Sequence, residues 1–279
     1  MKDLSHRGML ANLKIRQWSG RKQDKKVTRQ IEKDHNAKNA GRFNKILIDE
    51  DELREIQKVG SAARAYYYES TLPWGDNGDR LLSAKNIFIF LQAMRKFREE
   101  YENATETFIK KFPELKMLAK KRLNGMYDEN DYPTVSVLSS KFLLKVETMP
   151  IADVDDFRVA MDPEEVEKLK VQIEDSIKER IYQATQDIWG RIQTAVNHMY
   201  EKLSDKDGKF HNTLVSNIEE LIELLPRLNF TNDPSIDQVI SDMKSLLVNP
   251  EVLRTDPTTR SKTTQDAKSI LDKVSDYFG

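Results

Sequence analysis

One long apolar stripe runs through the second half of this chain. Val166, Leu169, Ile173, Ile177, Ile181, Ala184, Ile188, Ile192, Ala195, Met199 and Leu203 advance in steps of three or four, ten steps over 37 residues, or 3.7 per turn. A half-buried strand needs period two, so this spacing predicts a single helix over 163–204. At about 1.5 Å per residue it is on the order of 60 Å long. The period lies nearer the eleven-residue repeat than the heptad, so the helix runs nearly straight or with a slight right-handed coil.

A second segment matches it in length. Ile87, Met94, Tyr101, Phe108 and Leu115 recur every seven residues, with Phe90, Phe97, Ala104 and Leu118 between them, predicting an amphipathic helix over 83–124. Pro113 is expected to kink or split it near Phe112, because an interior proline removes a hydrogen bond and crowds the preceding turn. Two long helices of equal length predict a mainly α fold: an elongated bundle built on an antiparallel pair. Between them, Asn124-Gly125 closes the first helix, and 128–133 is a turn cluster. The stretches 142–148 and 156–160 read as short strands, so a small β-hairpin or irregular insertion is expected at 125–162.

Helix starts are marked by Asp or Asn before Pro at Asp162, Asp233, Asn249 and Asp256, which suits an N-cap followed by proline at the first helical position. Shorter helices are expected at 22–39, 49–69, 211–228, 234–248 and 257–278. The domain division that follows is an N-terminal arm over 1–45, a long-helix bundle over 46–204, and a three-helix extension over 205–279.

Composition narrows the chemistry. Zero Cys excludes disulfides, thiolate metal sites and cysteine nucleophiles. The four His (His6, His35, His198, His211) stand singly, and no Walker loop, Gly-x-Ser-x-Gly or Gly-x-Gly-x-x-Gly occurs. No catalytic residue, metal or cofactor is expected, and the chain reads as a non-enzyme. A nuclease would need two or three carboxylates converging in a cleft, which helical spacing here does not supply. The polar start and the five-residue limit on apolar runs predict a cytoplasmic protein with neither secretory signal nor membrane span.

The 45 basic and 46 acidic residues nearly cancel, but not locally. Residues 1–45 hold 13 Lys or Arg and four acids, a net of +9, against −10 for the remainder. Arg16, Arg21, Lys22, Lys25, Lys26 and Arg29 are therefore candidates for binding nucleic-acid phosphate or an acidic partner. The other reading is that the arm packs on the acidic body of its own or a neighbouring subunit. Interleaved aromatics are scarce, only Trp18 and Phe43, which weighs against single-strand recognition.

The loop 71–82, with Pro73, Trp74, Gly75, Asp76, Asn77, Gly78, Asp79 and Arg80, stands out as a tight turn. Trp74 is expected in an apolar pocket and Arg80 paired with Asp76 or Asp79. The functional alternative is a partner-docking loop formed by Trp18, Trp74, Asp76 and Arg80. Near Trp18, Ser19 is a candidate cap for the basic helix.

Ile15-Arg-Gln-Trp-Ser-Gly-Arg-Lys22, Lys25-Lys-Val-Thr28, Ala40-Gly-Arg-Phe-Asn-Lys45 and Thr71-Leu-Pro-Trp-Gly-Asp76 together resemble an uncharacterised phage and prophage family, one of the numbered domains of unknown function. The resemblance covers roughly residues 10–205 and makes the last 75 a variable extension. It implies an accessory role beside a MoxR-type AAA+ ATPase and a von Willebrand-type or cobalt-chelatase-like partner, in the cytoplasm of the host cell. The leading expectation is thus a non-enzymatic helical scaffold or adaptor engaging a protein partner, an AAA+ ATPase or itself. The alternative is nucleic-acid binding through the basic arm.

Overall fold

The structure is a computed structural model that describes residues 4–75, 77–151, 163–205 and 208–277. In chain order its elements begin with α1 (Leu4–Arg7), β1 (Gly8–Arg16), β2 (Arg21–Gln23), α2 (Lys25–Asp34), β3 (Asn44–Ile46) and α3 (Arg54–Glu69). There follow β4 (Leu72–Pro73), β5 (Arg80–Ser83), α4 (Ile87–Leu123), α5 (Val135–Ser139) and β6 (Leu143–Pro150). The chain ends with α6 (Pro163–Ser204), α7 (Thr213–Leu228), α8 (Pro234–Met243), α9 (Pro250–Thr255) and α10 (Pro257–Ser275). The fold is mainly helical with a small antiparallel sheet, in strand order β4-β5-β1-β6, and a separate β2-β3 ribbon. Among the described residues no helix is long and apolar enough to cross a membrane.

The chain divides into two compact units, one of residues 1–12, 67–91 and 147–279, the other of 13–66 and 92–146. In the first unit, Gly8, Met9, Leu10 and Ala11 lie opposite Ser83, Leu82, Leu81 and Arg80. A side chain cannot replace Gly8, since a Cβ there would meet the Leu82 carbonyl oxygen at 2.8 Å. The α6 stripe is buried in its second half, at Ala184, Ile188, Ile192, Met199 and Leu203, while Val166, Leu169, Ile173 and Ile177 are half-buried. Helices α10 and α7 cover it. The long antiparallel pair is therefore not what fills this stripe. The residues expected to form an extension, 205–279, supply the other half of the α6 core, because each of their helices has its own apolar face to bury.

Local chemistry fixes the ends of these helices. Asp233, Asn249 and Asp256 accept hydrogen bonds from Ser235 N, Glu251 N and Thr258 N, each before a proline at the helix start. Asp162 and the expected strand 156–160 lie outside the described residues. At the far end of α6, Arg260 donates to the carbonyls of Leu203 (3.0 Å) and Lys202 (3.1 Å), acceptors the last turn leaves open, and to those of Asp205 (2.5 Å) and Gly208 (3.3 Å) beyond it.

The core of the second unit is aromatic. Trp18 lies 5.6 Å from Phe112 and 6.1 Å from Phe108, and Phe142 lies 5.8 Å from Phe108, ring centre to ring centre. The seven-residue stripe of α4 is buried here at Met94, Tyr101, Phe108 and Leu115. Pro113 does not split the helix, which continues to Leu123. Packing on both sides of it, through Phe112 and Leu115, holds the helical path that the lost hydrogen bond weakens. Asn124, not Gly125, takes the left-handed φ of 46° that ends α4.

Candidate functional site

The segment expected as a basic arm is folded into regular elements over its described residues. Residues 1–45 contribute β1, β2, α2 and part of β3, and they are shared between both units. The positive charge instead follows the second unit, which holds 25 Lys or Arg and 16 Asp or Glu, a net of +9. The first unit holds 20 and 30, a net of −10.

Within the second unit a pocket of about 700 Å³ opens between β2, the start of α2 and the segment after α4. Its wall includes Lys22, Lys25, Lys26, Lys45 and Lys120 together with Asp24, Asp128, Glu129 and Asp131. Every carboxylate is already engaged. Asp24 caps α2, accepting from Lys26 N (3.0 Å) and Val27 N (3.1 Å), the role expected of Ser19. Asp128 accepts from Asn130 N at 2.9 Å, and Glu129 accepts from the Tyr127 hydroxyl at 2.6 Å and from Lys116.

Asp131 takes two ammonium groups, Lys45 at 2.6 Å and Lys22 at 2.9 Å. Lys45 is buried, and it also meets Asp24 at 3.4 Å and the Met126 carbonyl at 2.7 Å. Burial pulls the Lys45 pKa down, yet the hydrogen bond and charge of Asp131, then of Asp24, outweigh it and leave it above 10.5. Burial likewise raises Asp131, and the bonds from Lys45 and Lys22 hold it below 3.8. These groups form the floor of the pocket.

The remaining cations face outward. Lys25, Lys26 and Lys120 are exposed and make no salt bridge among the described residues. Lys120 Nζ stands 5.8 Å from the centre of the Tyr127 ring. Arg29 and Lys33 continue the Lys25 face of α2 at four-residue steps, both exposed. The structure thus gathers Lys22, Lys25 and Lys26 of the expected set and adds Lys45 and Lys120. Arg16 ends β1, exposed, and Arg21 pairs with Glu50; neither lines the pocket. The Lys120-Lys-Arg122 run and the 128–131 turn were the available signals for the other wall.

The expected docking loop is largely internal. Trp74 is 5 % exposed within the first unit's core and Trp18 is 8 % exposed within the second's, so neither indole is presented to a partner. Arg80 bonds Thr71 Oγ1 at 2.8 Å and the Thr71 carbonyl at 2.9 Å, and lies 4.9 Å from the Tyr68 ring centre. It does not pair with Asp79, whose carboxylate accepts from Asn12 and Asn77, each at 2.8 Å. Burial lowers the Arg80 pKa, and the guanidinium is met by hydroxyl and carbonyl oxygens of Thr71 rather than by the expected Asp79 carboxylate. Asp76 lies outside the described residues.

Among the described residues no three His, Cys, Asp or Glu side chains form a group able to hold a metal. Comparison with protein-family models, curated proteins and solved structures returns no match.

Proposed function

We propose that this chain is a non-enzymatic nucleic-acid-binding protein whose basic unit holds phosphate groups through Lys25, Lys26 and Lys120. The supporting observation is the asymmetry of the pocket wall: its carboxylates are all engaged, while Lys25, Lys26 and Lys120 are exposed and make no salt bridge among the described residues. A polyanion supplies the missing charge without any reorganisation of the floor. Arg29 and Lys33 extend the contact along α2.

With three phosphate contacts, affinity falls roughly 20- to 40-fold between about 50 and about 200 mM salt. Fluorescence anisotropy with a labelled oligonucleotide measures this directly. The triple variant Lys25→Gln, Lys26→Gln, Lys120→Gln should bind weakly and lose most of the salt dependence. Unchanged affinity in that variant would remove the proposal.

A second reading, a scaffold or adaptor for a protein partner, is favoured by the first unit. A groove of about 770 Å³ there is lined by Asp187, His198, Leu214, Glu220, Leu221 and Leu224, and Phe88 is 78 % exposed. The phage-family resemblance adds an AAA+ ATPase as the partner class and the host cytoplasm as the place. Light scattering after size exclusion, with a pull-down from infected cells, tests it; a monomer that recovers no partner counts against it.

A further inference from the structure

We infer that the pocket takes a single-stranded segment, one base stacking on Tyr127 while neighbouring phosphates meet Lys25, Lys26 and Lys120. This rests on the nucleic-acid reading above and names its substrate class.

Two observations carry it beyond charge. First, the cations line a concavity rather than a flat face, and about 700 Å³ suits a nucleotide-sized group better than a duplex, which needs a convex element to enter its groove. Second, the pocket wall contains a half-buried aromatic ring held in place before any ligand arrives. The Tyr127 hydroxyl donates to Glu129 at 2.6 Å, and Glu129 is itself fixed by Lys116. Tyr132 supports the ring at a centroid distance of 5.2 Å and an interplanar angle of 31°. Tyr132 is in turn anchored by its hydroxyl to the Leu47 carbonyl at 3.0 Å, in the core.

A ring fixed in this way loses little freedom on stacking. Base stacking on such a platform tolerates any sequence, since every base offers a flat face. Lys120 Nζ lies 5.8 Å from the centre of the same ring at the end of an exposed, flexible side chain, so a base that stacks there displaces the ammonium toward its own phosphate. The scarcity of aromatics in residues 1–45 is therefore no obstacle, because the stacking group comes from the segment after α4.

The test compares a labelled oligothymidylate with a duplex of equal length, by anisotropy, on the full chain. The single strand should bind about 10-fold more tightly, and Tyr127→Leu should bring the ratio close to one. Tyr127→Phe keeps the ring and its packing on Tyr132 but loses the bond to Glu129, and should keep a ratio well above one. Competition by thymidine monophosphate distinguishes a mononucleotide pocket from a strand-binding one: displacement of the strand at equal concentration overturns the inference, and its absence supports it. Equal affinity for strand and duplex in the wild-type protein, or a ratio that survives Tyr127→Leu, overturns the inference and leaves the nucleic-acid reading standing. Binding to neither probe removes both. Should Tyr127→Leu fail to fold, the wild-type ratio and Tyr127→Phe decide.

Discussion

Replacing Lys45 with Met tests whether the pocket floor is a buried ionic cluster. The side chains of Lys45, Asp131 and Asp24 are only 7 %, 10 % and 15 % exposed, so water does little to screen them. Removing one partner of a buried pair costs about 3–5 kcal/mol, mostly because the other charge is left unpaired. Here the loss is smaller. Asp131 keeps Lys22, and Asp24 keeps two backbone N–H groups, so about 2–3 kcal/mol is the appropriate range. Met retains most of the aliphatic stem, which limits the packing contribution.

The sign with pH follows from the shifts. Asp131 and Asp24 sit below 3.8 in the folded protein, so their contribution is complete above that value and fades as pH falls through the lowered one. Lys45 sits above 10.5, so its contribution is complete below that value and fades as pH rises through the raised one. The difference between wild type and Lys45→Met should be flat across the neutral range and shrink at both extremes.

Hydrogen exchange read by mass spectrometry on peptides covering 44–48 reports the unit in question. A loss of about 2 kcal/mol accelerates exchange about 30-fold. The double variant Lys45→Met, Asp131→Asn removes the buried carboxylate that Lys22 alone then compensates, and should recover roughly 1 kcal/mol. Acceleration below about threefold, or a double variant no better than the single, would mean that the cluster is solvated and the reasoning wrong.

Two further outcomes are expected in the acidic unit. Arg260→Ala takes the Arg260 donor from two carbonyls in the last turn of α6 and two just beyond it, and should lower stability by about 2–3 kcal/mol, a fall in Tm of roughly 5–10 °C by calorimetry. Ile192→Ala empties a site that is 0 % exposed on the α6 stripe and should cost about 2–5 kcal/mol in urea unfolding.

The helices were legible because their signals are local. An Asp or Asn before Pro caps a helix by its own side chain, and Asp233, Asn249 and Asp256 do so without help from distant residues. The stripes of α4 and α6 are likewise periodic within one segment. The strands were less so. The first residues of β1 bury Gly8 and Ala11, small residues three apart that leave no alternation to read. Close approach to β5 demands that smallness at Gly8, and only the paired structure reveals it. Partner choice was also hidden: the periodicity of α6 specifies an apolar face, not which helices cover it.

The charge pattern has the same limit, and with a practical consequence. Counted along the chain, a surplus of +9 falls in residues 1–45. In the structure the same surplus belongs to a unit in which the acids at 49–55 are offset by Lys110, Lys111, Lys116, Lys120, Lys121 and Arg122 of α4. The binding wall therefore draws Lys25 and Lys26 from one segment and Lys120 and Tyr127 from another. Deleting residues 1–45 is the natural experiment on an arm, and it is the wrong one on this fold. It would remove β1, Trp18 and Lys45 along with the candidate lysines, so lost binding would report a lost core. Point substitutions at Lys25, Lys26 and Lys120 leave the aromatic core and the ionic floor in place, and only they separate charge from folding.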